Sequence, residues 1–245
     1  MIDFAVYSNA GSREKNEDYI SSYADGDRIC FVIADGLGGE GEGDMASRFV
    51  CNHTVAIAEK TKKFNSDFLK DCFTIIQKNL LRAKKELMLS TEMCSTLSIL
   101  AFDGNSACWG HIGDSRIYCF SEDKIQAVTT DHSLAYLMIS GGMSEETDVR
   151  NHPDRSILMA AMGMENMNEA YEIDMSEMKM RRPVSFLMCT DGFWQYVHED
   201  EMLNIIGSEQ TAEAVMNKMV KTADLNSEGE DRDNISAIYI KYIPE

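Results

Sequence analysis

Proline is nearly missing, with three in 245 residues, and no stretch is rich in proline, glycine or serine. Without such a linker, residues 1–245 are expected to form one domain. No apolar run approaches the ~20 residues that span a bilayer. The opening stretch, MIDFAVYSNAGSREKNEDY, has neither a basic start nor an unbroken apolar run, so no secretory signal is expected there. Basic residues are also scarce. Against 41 Asp and Glu stand 23 Lys and Arg, a formal charge of −18. That field repels phosphate backbones and anionic lipids, which argues against nucleic-acid or membrane-surface binding while still allowing a local basic pocket. The seven cysteines (30, 51, 72, 94, 108, 119 and 189) contain no C-x-x-C pair. Their odd number and apolar neighbours point to reduced core thiols in a cytoplasmic protein. No His-x-x-x-His or Cys/His set is present, which argues against zinc.

What is present suits a globular domain. Apolar residues make up 44% of the chain, near the globular average, which excludes disorder. Strand-like runs occupy 2–7, 19–23 and 29–34, the last apolar on both faces and so deeply buried. Helical patterns follow at 44–60 and 66–88. The second carries a stripe of Leu69, Cys72, Phe73, Ile76, Leu80, Ala83 and Leu87. Strands are expected at 96–102, 107–112, 116–120 and 125–128, then a helix at 133–140 stopped by Gly141-Gly142. Residues 143–157 read as loop. Strands fit 170–175 and 184–189, helices 199–206 and 211–223, and a last strand 235–242. Strand blocks alternating with helix pairs predict an α+β fold, two antiparallel sheets packed together with helices outside.

The acids carry the functional signal. Asp35-Gly36 ends the run FVIA, Gly113-Asp114 ends ACWGHI, and Asp191-Gly192 follows FLMCT. Asp233-Asn234 opens ISAIYI, and Glu17-Asp18 opens YISSY. A single Asp-Gly is ordinarily a turn. Five repeats of one placement put carboxylates at the mouths of buried strands, which is costly unless they are paired or bind metal. Arg13 is the one conspicuous cation nearby in sequence. Such an oxygen-rich set suits Mg²⁺ or Mn²⁺, and a glycine after Asp35 lets a backbone carbonyl approach an ion.

These residues fall in motifs that resemble the metal-dependent (type 2C) Ser/Thr protein phosphatases, especially their compact bacterial members. The motifs are SREKNEDY (12–19), FVIADGLGGEGEGDMAS (31–47), CSTLSIL (94–100), HIGDSRIY (111–118), TTDHSL (129–134), FLMCTDGFW (186–194) and DRDNIS (231–236). Each alone is weak; in this order over most of the chain they are specific. The resemblance implies a four-layer α-β-β-α sandwich with a two-metal site at one end. Asp35 then matches the carboxylate bridging both ions, with the Gly36 carbonyl on one, Asp191 and Asp233 on the other, and Asp114 on a third, weaker ion. Glu17 and Asp18 match an acidic pair that holds metal-bound water or reaches the second ion, and Arg13 matches the phosphate-binding arginine.

The chemistry implied is hydrolysis of phosphoserine and phosphothreonine by a metal-bridging hydroxide, with no covalent intermediate. Expected partners are phosphoproteins, including a Ser/Thr kinase and its substrates. Two alternatives stand beside it: a catalytically weak phosphoprotein-binding relative, and a phosphatase of a small phosphoester. Leu37 replaces the histidine of many eukaryotic relatives, so no general acid is assigned. CSTLSIL and LMAAMG (158–163) depart from the family pattern in what read as core strand and helix positions. His132 reads as a structural hydrogen-bonding histidine, and 141–157 as the flap beside the site.

Overall fold

A computed structural model describes residues 1–38, 42–90, 92–165 and 173–244, and among these described residues are twelve strands and six α-helices. The strands are β1 (Ile2–Asn9), β2 (Tyr19–Asp25), β3 (Arg28–Ala34), β4 (Gly36–Leu37), β5 (Cys94–Ser95) and β6 (Leu97–Asp103), followed by β7 (Ser106–Ile112), β8 (Arg116–Ser121), β9 (Lys124–Val128), β10 (Asp174–Lys179), β11 (Val184–Cys189) and β12 (Ile235–Tyr242). The helices are α1 (Glu42–Lys60), α2 (Ser66–Leu87), α3 (Leu134–Ser140), α4 (Asp191–Trp194), α5 (Glu199–Ser208) and α6 (Ala212–Asn226).

One sheet runs β1-β12-β11-β8-β9 and the other β10-β7-β6-β3-β2, with every pairing antiparallel. Three buried apolar layers hold four structural layers together. Between the sheets lie Phe31, Ile33, Leu100, Phe102, Trp109, Phe186, Ile238 and Ile240. Their alternate neighbours point outward: Val32, Ile99 and Cys108 meet Val50, Leu69, Phe73 and Ile76 of α1 and α2. On the far side Leu187, Tyr239 and Ala237 meet Met202, Val215 and Met219 of α5 and α6. Both sheets are therefore buried on both faces, which is why the central strands are apolar throughout rather than alternating. The expected four-layer α-β-β-α sandwich is the observed architecture.

α2 shows how sequence sets an element's ends. Asn65 accepts from the Phe68 amide at 3.1 Å and caps the start. Met88, at φ +52°, ends the helix in the left-handed region. All seven cysteines are buried thiols, as expected of a core. No helix among the described residues is long and apolar enough to cross a membrane.

Some boundaries differ from the sequence reading. The strand expected at 170–175 is instead Asp174–Lys179, and 170–172 lie outside the described residues. It pairs with β7 through Asp174 opposite His111, in a register that an edge strand with polar alternate residues does not announce. Thr96 was expected to open a strand but leaves the ladder to bond Asp35. Residues 158–163 are not helical. Leu158 bridges to Ser133 and Met162 to Ser95, so this segment is pinned to the strands as irregular chain. Within the loop 143–157 a short 3₁₀ turn forms at Val149–Asn151.

Candidate active site

At one pole of the sandwich the chain turns from strand to loop at each acidic position. Asp35 leaves β3 with its backbone clamped. Its N–H donates to Thr96 Oγ1 at 2.8 Å, and its carbonyl accepts from the Thr96 amide and Ser95 Oγ, each at 2.9 Å. With its backbone so engaged, its carboxylate is left for other work. Gly36 follows at a close approach: a Cβ there would lie 2.0 Å from the Gly43 carbonyl oxygen and 2.8 Å from that of Glu17. No side chain fits, so only glycine brings this backbone against the start of α1.

Asp114 follows Gly113, whose φ of +107° re-aims the chain out of β7. The Gly113 amide donates to His132 Nδ1 at 3.0 Å, and Trp194 Nε1 donates to the Asp114 carbonyl at 2.9 Å. His132 thus takes the structural hydrogen-bonding role expected of it. Asp191 opens α4 directly after β11. Thr190 Oγ1 donates to Asp18 Oδ2 at 2.9 Å and accepts from the Ser236 amide at 3.1 Å, tying β2, β11 and β12 together. The other Asp18 oxygen, Oδ1, is buried without any partner. Asn234 Nδ2 donates to the carbonyls of Ala10 and Lys15, both at 2.9 Å, while its Oδ1 accepts from the Glu17 amide at 2.7 Å. That one side chain shapes the 10–17 loop.

The electrostatics are those of crowded acids. Burial first, then neighbouring carboxylates, hold the Asp35 carboxyl well above its usual range, with Asp18, Asp191, Asp114 and Asp233 all contributing. Asp114 is raised for the same two reasons, with Asp191 its foremost acidic neighbour. Burial and Asp233 push Asp191 up to about 6. Burial pushes Asp18 up to about 7, against the pull of its Ser236 and Thr190 hydrogen bonds. Glu17 sits half-buried at the edge of the group, raised by burial and by Asp44 at the start of α1.

The sequence-predicted residues are therefore brought to one pole, with Asp18, Asp114, Asp191 and Asp233 all within electrostatic reach of Asp35. Arg13 is placed on Asp233, with Nε to Oδ1 at 3.2 Å and Nη2 to Oδ2 at 3.0 Å, both side chains about half exposed (51% and 49%). Among the described residues, no group of three His, Cys, Asp or Glu is already closed around a single point as a metal cage. The donor set nevertheless fits divalent hard ions. It holds oxygen ligands only, it includes a buried orphan oxygen at Asp18, and its carboxylates lack enough cations to balance them. Sequence reasoning missed Thr96, Thr190, Asn234 and Trp194, which aim or brace the acids. Three of them lie within three residues of an acidic motif position, the available signal; Thr96 has none in sequence.

Residues 7–228 match the family model described as Protein phosphatase 2C. A serine/threonine phosphatase stp of Listeria innocua is 29% identical over 94% of this chain and 91% of its own length. The serine/threonine protein phosphatase PstP of Mycobacterium tuberculosis is 25% identical over 97% of this chain but only 44% of its own. Among solved structures, a bacterial serine phosphatase superposes with a TM-score of 0.88 at 23% identity, covering 100% of this chain and 99% of that one. The catalytic domain of PstP in complex with two manganese ions gives 0.80 at 20% identity, covering 99% and 98%. With nearly the whole chain inside the family model, the two-sheet sandwich and the acids at one pole have a common explanation: the chain belongs to the protein phosphatase 2C family.

Proposed function

We propose that residues 1–245 form a single Mn²⁺- or Mg²⁺-dependent phosphatase domain that hydrolyses phosphoserine and phosphothreonine in proteins, in the cytoplasm and in opposition to a Ser/Thr kinase. The convergence of four buried or half-buried carboxylates, Asp18, Asp35, Asp114 and Asp191, on one pole, with raised proton affinities and almost no cation among them, carries this reading. Asp35, Asp191 and Asp233, the Gly36 carbonyl and, for a third ion, Asp114 would hold the metals, with Glu17 at the rim. Bound there, divalent ions supply a nucleophilic oxygen from water near neutral pH and neutralise the phosphoryl oxygens, so that no covalent intermediate is needed.

The chain's own residues do the rest. Asp18, anchored by Thr190, presents its unpartnered Oδ1 as an acceptor for a proton or for ordered water. Arg13 is held by a half-exposed ion pair, a contact worth little, so its guanidinium is free to exchange Asp233 for two phosphoryl oxygens. The cysteines offer no competing route. Every thiol is buried, and burial pushes each one up.

The test is a panel of phosphoserine and phosphothreonine peptides beside small phosphate monoesters, all with Mn²⁺. The proposal expects kcat/KM for the peptides to exceed that for small metabolite phosphates by about tenfold or more. Equal or greater turnover of the small esters would favour the small-phosphoester reading, and tight peptide binding without turnover the regulatory one.

A further inference from the structure

We infer that Arg150 is a positioning residue that ties the 141–157 segment to the wall of the carboxylate pocket. Its functional consequence rests on the phosphatase reading above. Arg150 lies in the Val149–Asn151 turn, which Asp148 caps by accepting the Arg150 amide at 2.9 Å. Its side chain leaves the segment and is 9% exposed. Nη2 donates to both Glu199 carboxylate oxygens at 2.8 Å, and Nε donates to the Trp194 carbonyl at 3.2 Å. The guanidinium carbon stands 5.5 Å from the centre of the Trp194 ring. Among the described residues, every other hydrogen bond made by 141–157 closes on the segment itself or on α3.

The far end of this tie is the pocket. Trp194 belongs to α4, whose first residue is Asp191, and its indole N–H donates to the Asp114 carbonyl at 2.9 Å. Arg150 therefore connects the segment to the same four-residue helix that presents one carboxylate and braces another. The connection is a charge-assisted, largely buried contact, stronger than the surface pairs elsewhere on the chain. Removing it need not collapse the core. Glu199 keeps the Tyr118 hydroxyl at 3.0 Å and Arg116 Nη1 at 3.6 Å, so its charge is not stranded. The expected result is a segment released while its body remains folded. Since a phosphopeptide is larger than the phosphoryl group that the acids handle, a released flank costs substrate positioning more than chemistry.

The experiment compares the parent with Arg150→Met, Arg150→Lys and Glu199→Gln. Amide hydrogen exchange is read first on metal-free protein, without substrate. In Arg150→Met, exchange over 141–157 should quicken about tenfold while β7 and β11 keep parental rates. With Mn²⁺ and a phosphothreonine peptide, KM should rise about tenfold and kcat fall less than about threefold. Arg150→Lys, which can pair with Glu199 but cannot also reach the Trp194 carbonyl, should fall between the two. Glu199→Gln should change exchange and KM in the same direction but less. Unchanged exchange over 141–157 in Arg150→Met overturns the tie. So does faster exchange spread evenly over α5 and α6, which marks an ordinary structural ion pair. If Arg150→Met does not fold, parental exchange over 141–157 in Glu199→Gln is the overturning result. Absence of turnover in every protein, parent included, would instead sink the phosphatase reading while the exchange data still decide the tie.

Discussion

Asp35→Asn should fold as the parent does and lose roughly 10³-fold or more in kcat/KM on any phosphate monoester. The fold is safe because Asp35 holds its neighbours through its backbone: the Thr96 and Ser95 contacts go to its N–H and carbonyl, not to its carboxylate. An amide of the same shape leaves them intact. The loss is large because Asp35 is the acid on which the most neighbouring carboxylates converge. Asp18, Asp191, Asp114 and Asp233 all act on it, so an ion shared between them meets Asp35 first. The neutral variant also relieves repulsion in the metal-free pocket, so its melting temperature in EDTA should equal or exceed that of the parent. Circular dichroism with a p-nitrophenyl phosphate assay checks both halves. A well-folded Asp35→Asn retaining a tenth of parental activity would remove Asp35 from the centre of the site.

Asp18→Asn should stabilise the metal-free protein near pH 8, by roughly 5 °C in melting temperature. Asp18 is buried, one of its oxygens has no partner, and its folded-state carboxyl is pushed up to about 7 from an ordinary value near 3.8. The sign follows from proton counting. Between those two values the folded protein holds a proton that the unfolded chain has released, so stability falls as pH rises through the window. Asparagine does not titrate and escapes that loss. The gain over the parent should therefore be near zero below about pH 4, grow through pH 4–7 and level off above. Saturating Mn²⁺ should erase or reverse the ranking, because a bound cation restores the worth of the negative charge. Melting curves across this pH range, with EDTA and with Mn²⁺, decide the matter. An asparagine variant less stable than the parent in EDTA at pH 8 would mean that Asp18 is a structural anion serving Thr190.

The sequence carried much of this because the site is built where strands stop. A strand buried on both faces must be apolar, as in Arg28–Ala34 and Val184–Cys189. An acid at its end therefore stands out, and Asp35, Asp114 and Asp191 were visible for that reason. Burial also placed the strands well: 184–189 and 235–242 were read to the residue. The edge strand Asp174–Lys179 was placed too early, at 170–175, because its Asp, Ser, Glu and Lys do not read as core. The supports of the site escaped for another reason. Thr96 meets Asp35 across 61 positions, and Thr190 meets Asp18 across 172. Nothing local marks a threonine as the partner of an acid so far along the chain. The Arg13–Asp233 pair spans 220 positions, and no spacing rule reaches that far. Periodicity reports which face is buried, whereas the partner across the pole is set by how the two sheets stack.

Metal-stripped protein, titrated with Mn²⁺ in a calorimeter and assayed in parallel on a phosphothreonine peptide, tests the central claim most directly. The account predicts no turnover in EDTA, recovery as about two ions bind per chain, and net proton release near pH 6.5, since the ions displace protons that Asp18 and Asp191 otherwise keep up to about 7 and about 6. Full turnover in EDTA, or no binding of Mn²⁺ at all, would contradict it.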